Sequence, residues 1–259
     1  MYRLLIPPDL RASTLIIAPH RALHNLPFHA LRDDAGYLIE KHALVYAPSL
    51  QVLQSLLRDP RAEPRGDALV CGLANFGAEL PALEFAETEV AALRAMLRGK
   101  FLWGADATRQ MLFDLNATGE LAQFDLLHFA THALLDRAAP HQSRIALFDA
   151  PLTTFDILEL ALNARVVTLS ACQTALGARG AGDELIGLAR AFFYAGARAL
   201  LATLWHVEDA STRDLVARVY QHYARGENLA AALRRAQIEM LRAGQSPYQW
   251  ASLILMGKP

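Results

Sequence analysis

Short apolar runs alternate along this chain with longer stretches in which apolar and polar positions mix. The runs 14–18, 42–47, 67–72, 125–131, 165–171, 198–204 and 251–255 predict strands. The later ones are almost continuously apolar, the pattern of strands covered on both faces. A helix is predicted over 83–98, with Ala86, Val90, Leu93 and Leu97 on one side and Gly99 as its stop. Another is predicted over 184–196, where Leu185, Leu188, Ala189, Phe192 and Phe193 share a side and Asp183 serves as N-cap. Two more are predicted over 210–225 and 229–243, the second opening after Asn228 and closing before Gly244. Strand–helix alternation of this kind predicts an α/β fold with a parallel sheet flanked by helices. The polar stretch 57–67, with two prolines, predicts a linker between an N-terminal part, 1–60, and a main core, 67–259.

Composition narrows the function classes. The chain has 259 residues, 53% hydrophobic and 20% charged, which suits a globular protein with a substantial core. Its formal net charge is -1, with no long run of one sign, so neither nucleic acid nor an anionic membrane is an expected partner. No window is long and apolar enough for a membrane span or a signal peptide, and the two cysteines, Cys71 and Cys172, lie far apart. A soluble protein of the cytoplasm, a reducing compartment, is therefore expected.

Two strand ends carry chemistry. HFATHA (128–133) places His132 just past one predicted strand, and TLSACQTA (168–175) places Cys172 just past another, 40 residues on. A helix around 154–162 would complete the crossover between them. Ligands of parallel α/β sheets bind beyond the carboxyl ends of the strands, so neighbouring strands would direct both side chains into one crevice. A thiolate beside an imidazole can attack a peptide carbonyl, and the imidazole can protonate the departing amine. The backbone N–H groups of Ala133 and Cys172 are candidate oxyanion donors, if irregular backbone follows each strand. The loop 177–182 (GARGAG) would let a substrate chain approach closely.

HFATHA, LSACQTALG and GDELIGLARAFFYAGARALLATLW together resemble the CHAT domain, a branch of the caspase-like peptidases related to separase. LIIAPHRALHNLPFHAL near the start and YQWASLILMG near the end extend the resemblance over nearly the whole chain. It implies a caspase–hemoglobinase-like α/β/α sandwich with a mostly parallel central sheet, and a cysteine endopeptidase with His132 as general acid/base and Cys172 as nucleophile. A protein or peptide is the implied substrate. No cofactor is called for. CHAT domains often accompany tetratricopeptide repeats, and this chain shows none, so a repeat-containing regulatory partner is a further expectation. The family usually has Gly where this chain has Ala133, and often Cys-Glu-Thr-Gly where it has Cys172, Gln173, Thr174 and Ala175.

The pocket for the residue before the cut is expected beyond the strand 198–204. Asp209 would pair there with Arg or Lys of the substrate, with Asp183 or Glu184 as a second acid and Trp205 as a wall. An N-cap role explains Asp209 and Asp183 without any function, and core packing explains Trp205. Cys71 and His128 read as structural. His20, His24 and His29 make a poor zinc set, because Pro19 and Pro27 flank the i, i+4 pair and argue against a helix. The glycine-rich loop lacks G-x-G-x-x-G and a P-loop lysine, which weakens a nucleotide-binding reading, and Gly-X-Ser-X-Gly is absent. The principal alternative is a catalytically silent caspase-fold scaffold that binds a partner protein.

Overall fold

In the computed structural model the continuously apolar runs become the centre of a sheet. The structure describes residues 1–59, 61, 66–136, 139–174, 183–205, 207 and 209–259, except the side chains of 22, 171–174, 183, 184 and 209. The strands of the main sheet are β1 (Thr14–Ile17), β2 (Ala43–Tyr46), β3 (Ala68–Gly72), β4 (Gly99–Trp103), β5 (Leu126–Leu135), β6 (Arg144–Ile145), β7 (Leu152–Thr153), β8 (Val166–Thr174), β9 (Ala199–Thr203) and β10 (Leu253–Gly257). Their order is β1–β2–β10–β9–β8–β5–β3–β4, with β6 pairing β5 and β7. Neighbours are parallel except β9 with β10 and the short β6 and β7 pairings. Every residue of β2, β3, β9 and β10 is buried, whereas the edge strands β1 and β4 mix exposed and buried positions. Periodicity thus reports rank in the sheet: two covered faces need two apolar faces.

All seven predicted strands are present, and β4, β6 and β7 are additions. Gly99, expected only to stop a helix, opens β4 with φ of +145°, a conformation that favours glycine, and a Cβ there would collide with the Ala68 carbonyl. The helices are α1 (Leu50–Leu57), α2 (Ala86–Met96), α3 (Arg109–Ala117), α4 (Thr154–Leu158), α5 (Asp183–Ala195), α6 (Asp209–Ala224) and α7 (Leu229–Arg242), beside several single turns. The Asn228 side chain caps α7 as expected, accepting from Ala231 N at 2.9 Å. Asp183 and Asp209 are the first residues of α5 and α6 themselves. A 3₁₀ helix spans Arg21–Asn25, so the flanking prolines bound a short turn rather than forbid one.

Helices cover both sides of the sheet. His128 and Phe129 point to opposite faces of β5: His128 meets Tyr220 of α6, and Phe129 meets Phe192 of α5. One layer contains α2, α6 and α7, packed on one another, and the other contains α4 and α5. The α/β/α sandwich is therefore present. Asp59, at the start of the stretch read as a linker, lies 3.2 Å from Arg198, which is 1% exposed. Arg61 beside it holds the Asp59 carboxyl down to a pKa of about 2.

Candidate active site

The strands β5 and β8 are parallel neighbours, and their register pairs Ala171 with His132 and Cys172 with Ala133. Sequence patterning expected each strand to end before these residues. Instead β5 runs on to Leu135 and β8 to Thr174, so His132, Ala133 and Cys172 stand inside strands. The reason is a partner the local pattern does not reveal: β6 pairs with the end of β5, Ala133 opposite Ile145 and Leu134 opposite Arg144. Ala133 is fully buried, in ladder with both Cys172 and Ile145 rather than in irregular backbone.

A bulge precedes His132. Leu169 pairs with Phe129 but Ala171 with His132, so Ala130 and Thr131 together stand opposite Ser170. An extra residue breaks the alternation and re-aims the side chains after it. His128, before the bulge, enters a buried polar cluster. Its Nδ1 lies 3.1 Å from the Tyr220 hydroxyl, and its Nε2 lies 3.0 Å from Glu89 Oε1. Tyr220 donates to Thr168 Oγ1 at 2.7 Å, and Ser170 Oγ donates to Glu89 Oε2 at 3.2 Å. His132, after the bulge, turns to the segment 73–85 between β3 and α2. Its Nε2 lies 2.8 Å from the Pro81 carbonyl oxygen, and its ring packs 4.7 Å from that of Phe76. A carbonyl can only accept, so Nε2 carries the hydrogen and the basic lone pair is assigned to Nδ1. The imidazole is 1% exposed.

The other flank lies beyond β9. Trp205 is half-buried, donates from Nε1 to the Tyr248 carbonyl at 3.0 Å and stacks on the Tyr248 ring at 6.0 Å. The side chains of Cys172, Asp183, Glu184 and Asp209, and residues 177–182 and 206, lie outside the described residues. Cys71 is buried in β3, where burial pushes its thiol up to about 12, so it remains a protonated core residue. His29 is fully buried and stacks on Tyr46 at 5.6 Å, away from His20 at the surface. Among the described residues no cluster of three or more His, Cys, Asp or Glu could hold a metal, and no helix is long and apolar enough to cross a membrane. Sequence reasoning missed Pro81 and Phe76. The first acts through a backbone carbonyl, which has no signature; the second sits in the turn-rich stretch NFG and carried no periodic signal.

A family model described as "CHAT domain" matches residues 1–258. Tetratricopeptide repeat protein 28 of Mus musculus is 25% identical over 96% of this chain, and that of Homo sapiens 24% over the same share. This chain spans only 12% of the length of those curated relatives. Among solved structures, separase in the Saccharomyces cerevisiae separase–securin complex superposes with a TM-score of 0.55 at 14% identity, over 91% of this chain and 15% of that one. The Arg specific cysteine proteinase gingipain R superposes with a TM-score of 0.56 at 12% identity, over 84% of this chain and 54% of that one. The fold is thus caspase-like.

Proposed function

The chain belongs to the CHAT domain family, and from that premise we propose that it is a cysteine endopeptidase acting through His132 and Cys172. The observation that supports the reading is the adjacency of β5 and β8, the parallel strands that bear His132 and Cys172, together with the hydrogen bond to Pro81 that orients the imidazole. In this mechanism the Cys172 thiolate attacks the scissile carbonyl carbon. The imidazolium of His132 gives its Nδ1 proton to the departing amine, and water then hydrolyses the thioester with the imidazole as base. The N–H groups of Cys172 and Ala133 are the proposed oxyanion donors, a role that requires the ladder around Ala133 to open when substrate binds.

The pocket for the residue before the cut is proposed on the β9 flank, with Trp205 as a wall and Asp209 pairing with Arg or Lys, and Asp183 or Glu184 as a further acid. The fold shared with a proteinase described as Arg specific supports a basic preference. Kinship with tetratricopeptide repeat proteins supports a repeat-containing partner. The free, buried Cys71 is in keeping with a cytoplasmic setting.

A second reading, a silent scaffold that binds a partner protein, is favoured by two observations. His132 is 1% exposed, and Ala133 is held in ladder on both sides. One experiment separates the readings: profile cleavage of a peptide library beside Cys172→Ala, and label both proteins with a thiol-directed peptide electrophile. The peptidase reading expects selective labelling at Cys172 and a loss of cleavage of about 10³-fold or more in the variant. Undiminished cleavage in the variant, or no reaction at Cys172, would leave the scaffold.

A further inference from the structure

We propose that the cleft between residues 73–80 and the β6–β7 hairpin receives the substrate segment released as the amine, and that Arg144 pairs there with an acidic side chain of that segment. The inference rests on the peptidase reading and adds a side to it: the β9 flank would read the residue before the cut, and this cleft the residues after it.

The cleft has a volume of about 640 Å³ and lies beyond the end of β3 and beside the last residues of β5. Phe76, Leu80, Leu147 and Phe148 give it an apolar wall, and Phe148 is 58% exposed at its mouth. Phe76 is also the ring that packs against His132, so cleft and imidazole are contiguous. Chemistry fixes the direction of the chain. The carbonyl must sit at Cys172 on β8 and the departing nitrogen at His132 on β5, so the polypeptide beyond that nitrogen continues towards β3 and into the cleft.

Arg144 is placed to meet it. Leu134 lies two residues after His132 and so on the same face of β5, and Arg144 is its partner across the β5–β6 pair. The guanidinium therefore rises on the imidazole side. It is half-buried, and no described carboxylate pairs with it. The two acids of the cleft are otherwise placed. Asp149 accepts from the backbone N–H groups of Arg109 and Gln110 at the start of α3, at 2.6 and 3.1 Å, and Glu79 stands on the exposed rim. A half-buried planar fork facing an apolar cleft suits a substrate carboxylate.

The test uses the 259-residue chain and a peptide library varied on both sides of the cut, with kcat/KM compared for peptides differing only by Asp or Glu, Asn or Gln, and Lys after it. Acidic peptides should exceed Lys peptides at least tenfold. Arg144→Ala should erase that ratio, Arg144→Glu should invert it, and Arg144→Lys should keep part of it. Each ratio is internal to one protein, so a change in folded fraction cancels. A cleaving enzyme whose preference after the cut ignores Arg144 overturns the subsite and leaves the peptidase reading standing. If the wild type cleaves nothing, peptide binding to Cys172→Ala by fluorescence anisotropy decides. Arg144-dependent capture of acidic peptides supports the subsite and overturns catalysis, and its absence overturns both.

Discussion

His128 and His132 lie four residues apart on one strand and are equally hidden from solvent, at 0% and 1% exposure. Burial alone does not tell them apart; their partners do. His128 faces Glu89 and Tyr220, carried by helices of the layer beneath the sheet. His132 faces a backbone carbonyl and a phenylalanine at the strand-end side, in a segment that also walls an open cleft. One extra residue in β5 separates the two settings. Packed helices hold both nitrogens of His128, whereas a backbone carbonyl of the segment lining the cleft holds Nε2 of His132.

Swapping each histidine for alanine breaks this comparison most sharply. His132→Ala should lower kcat/KM for peptide cleavage by about 10²–10⁴-fold and cost less stability than the corresponding change at His128. His128→Ala should do the reverse. It strands the Glu89 carboxylate in the interior and should cost about 3 kcal/mol of stability by urea denaturation, with kcat of the folded fraction nearly unchanged. Comparable loss of stability in both variants would dissolve the distinction.

A third histidine sharpens it. His29 is fully buried, neither ring nitrogen has a hydrogen-bond partner among the described residues, and burial pushes its pKa down to about 3. Between that value and the unfolded value of about 6.5, the unfolded chain binds a proton that the folded chain refuses. Stability should therefore fall as pH drops below about 6.5, by at most about 1.4 kcal/mol per pH unit from this group. Unfolding curves at pH 7 and pH 5 should show a smaller loss for His29→Leu than for the wild type. The smallest effect is expected at Tyr220. Its hydroxyl joins His128 to Thr168, and Tyr220→Phe should cost about 1 kcal/mol without altering peptide preference.

The strands were legible because two covered faces demand continuous apolar runs, and Asn228 was legible as a cap because capping is local. The edge strand β4 was not, since GKFLW mixes polar and apolar positions in the way an exposed edge allows. The short helices α1 and α3 lacked a long enough period to declare themselves. The strand ends at His132 and Cys172 were misplaced because β6, the partner that prolongs β5, is met only after the chain has turned back. Glu89 and Ser170, 81 residues apart, gave no sign of meeting. Arg144 carried no signal in the sequence, and its partner Leu134 places it on the imidazole side.

Seven of the strands and the helices α2, α5, α6 and α7 follow from the sequence alone, because burial on both faces and local capping are written in neighbouring residues, while the caspase-like class came from the motifs that resemble the CHAT domain. Only the tertiary structure decided what each histidine faces, where the strands stop and what lines the cleft. Those depend on a one-residue bulge and on carbonyls and side chains brought together from distant stretches, whose contact energies have no local period to announce them.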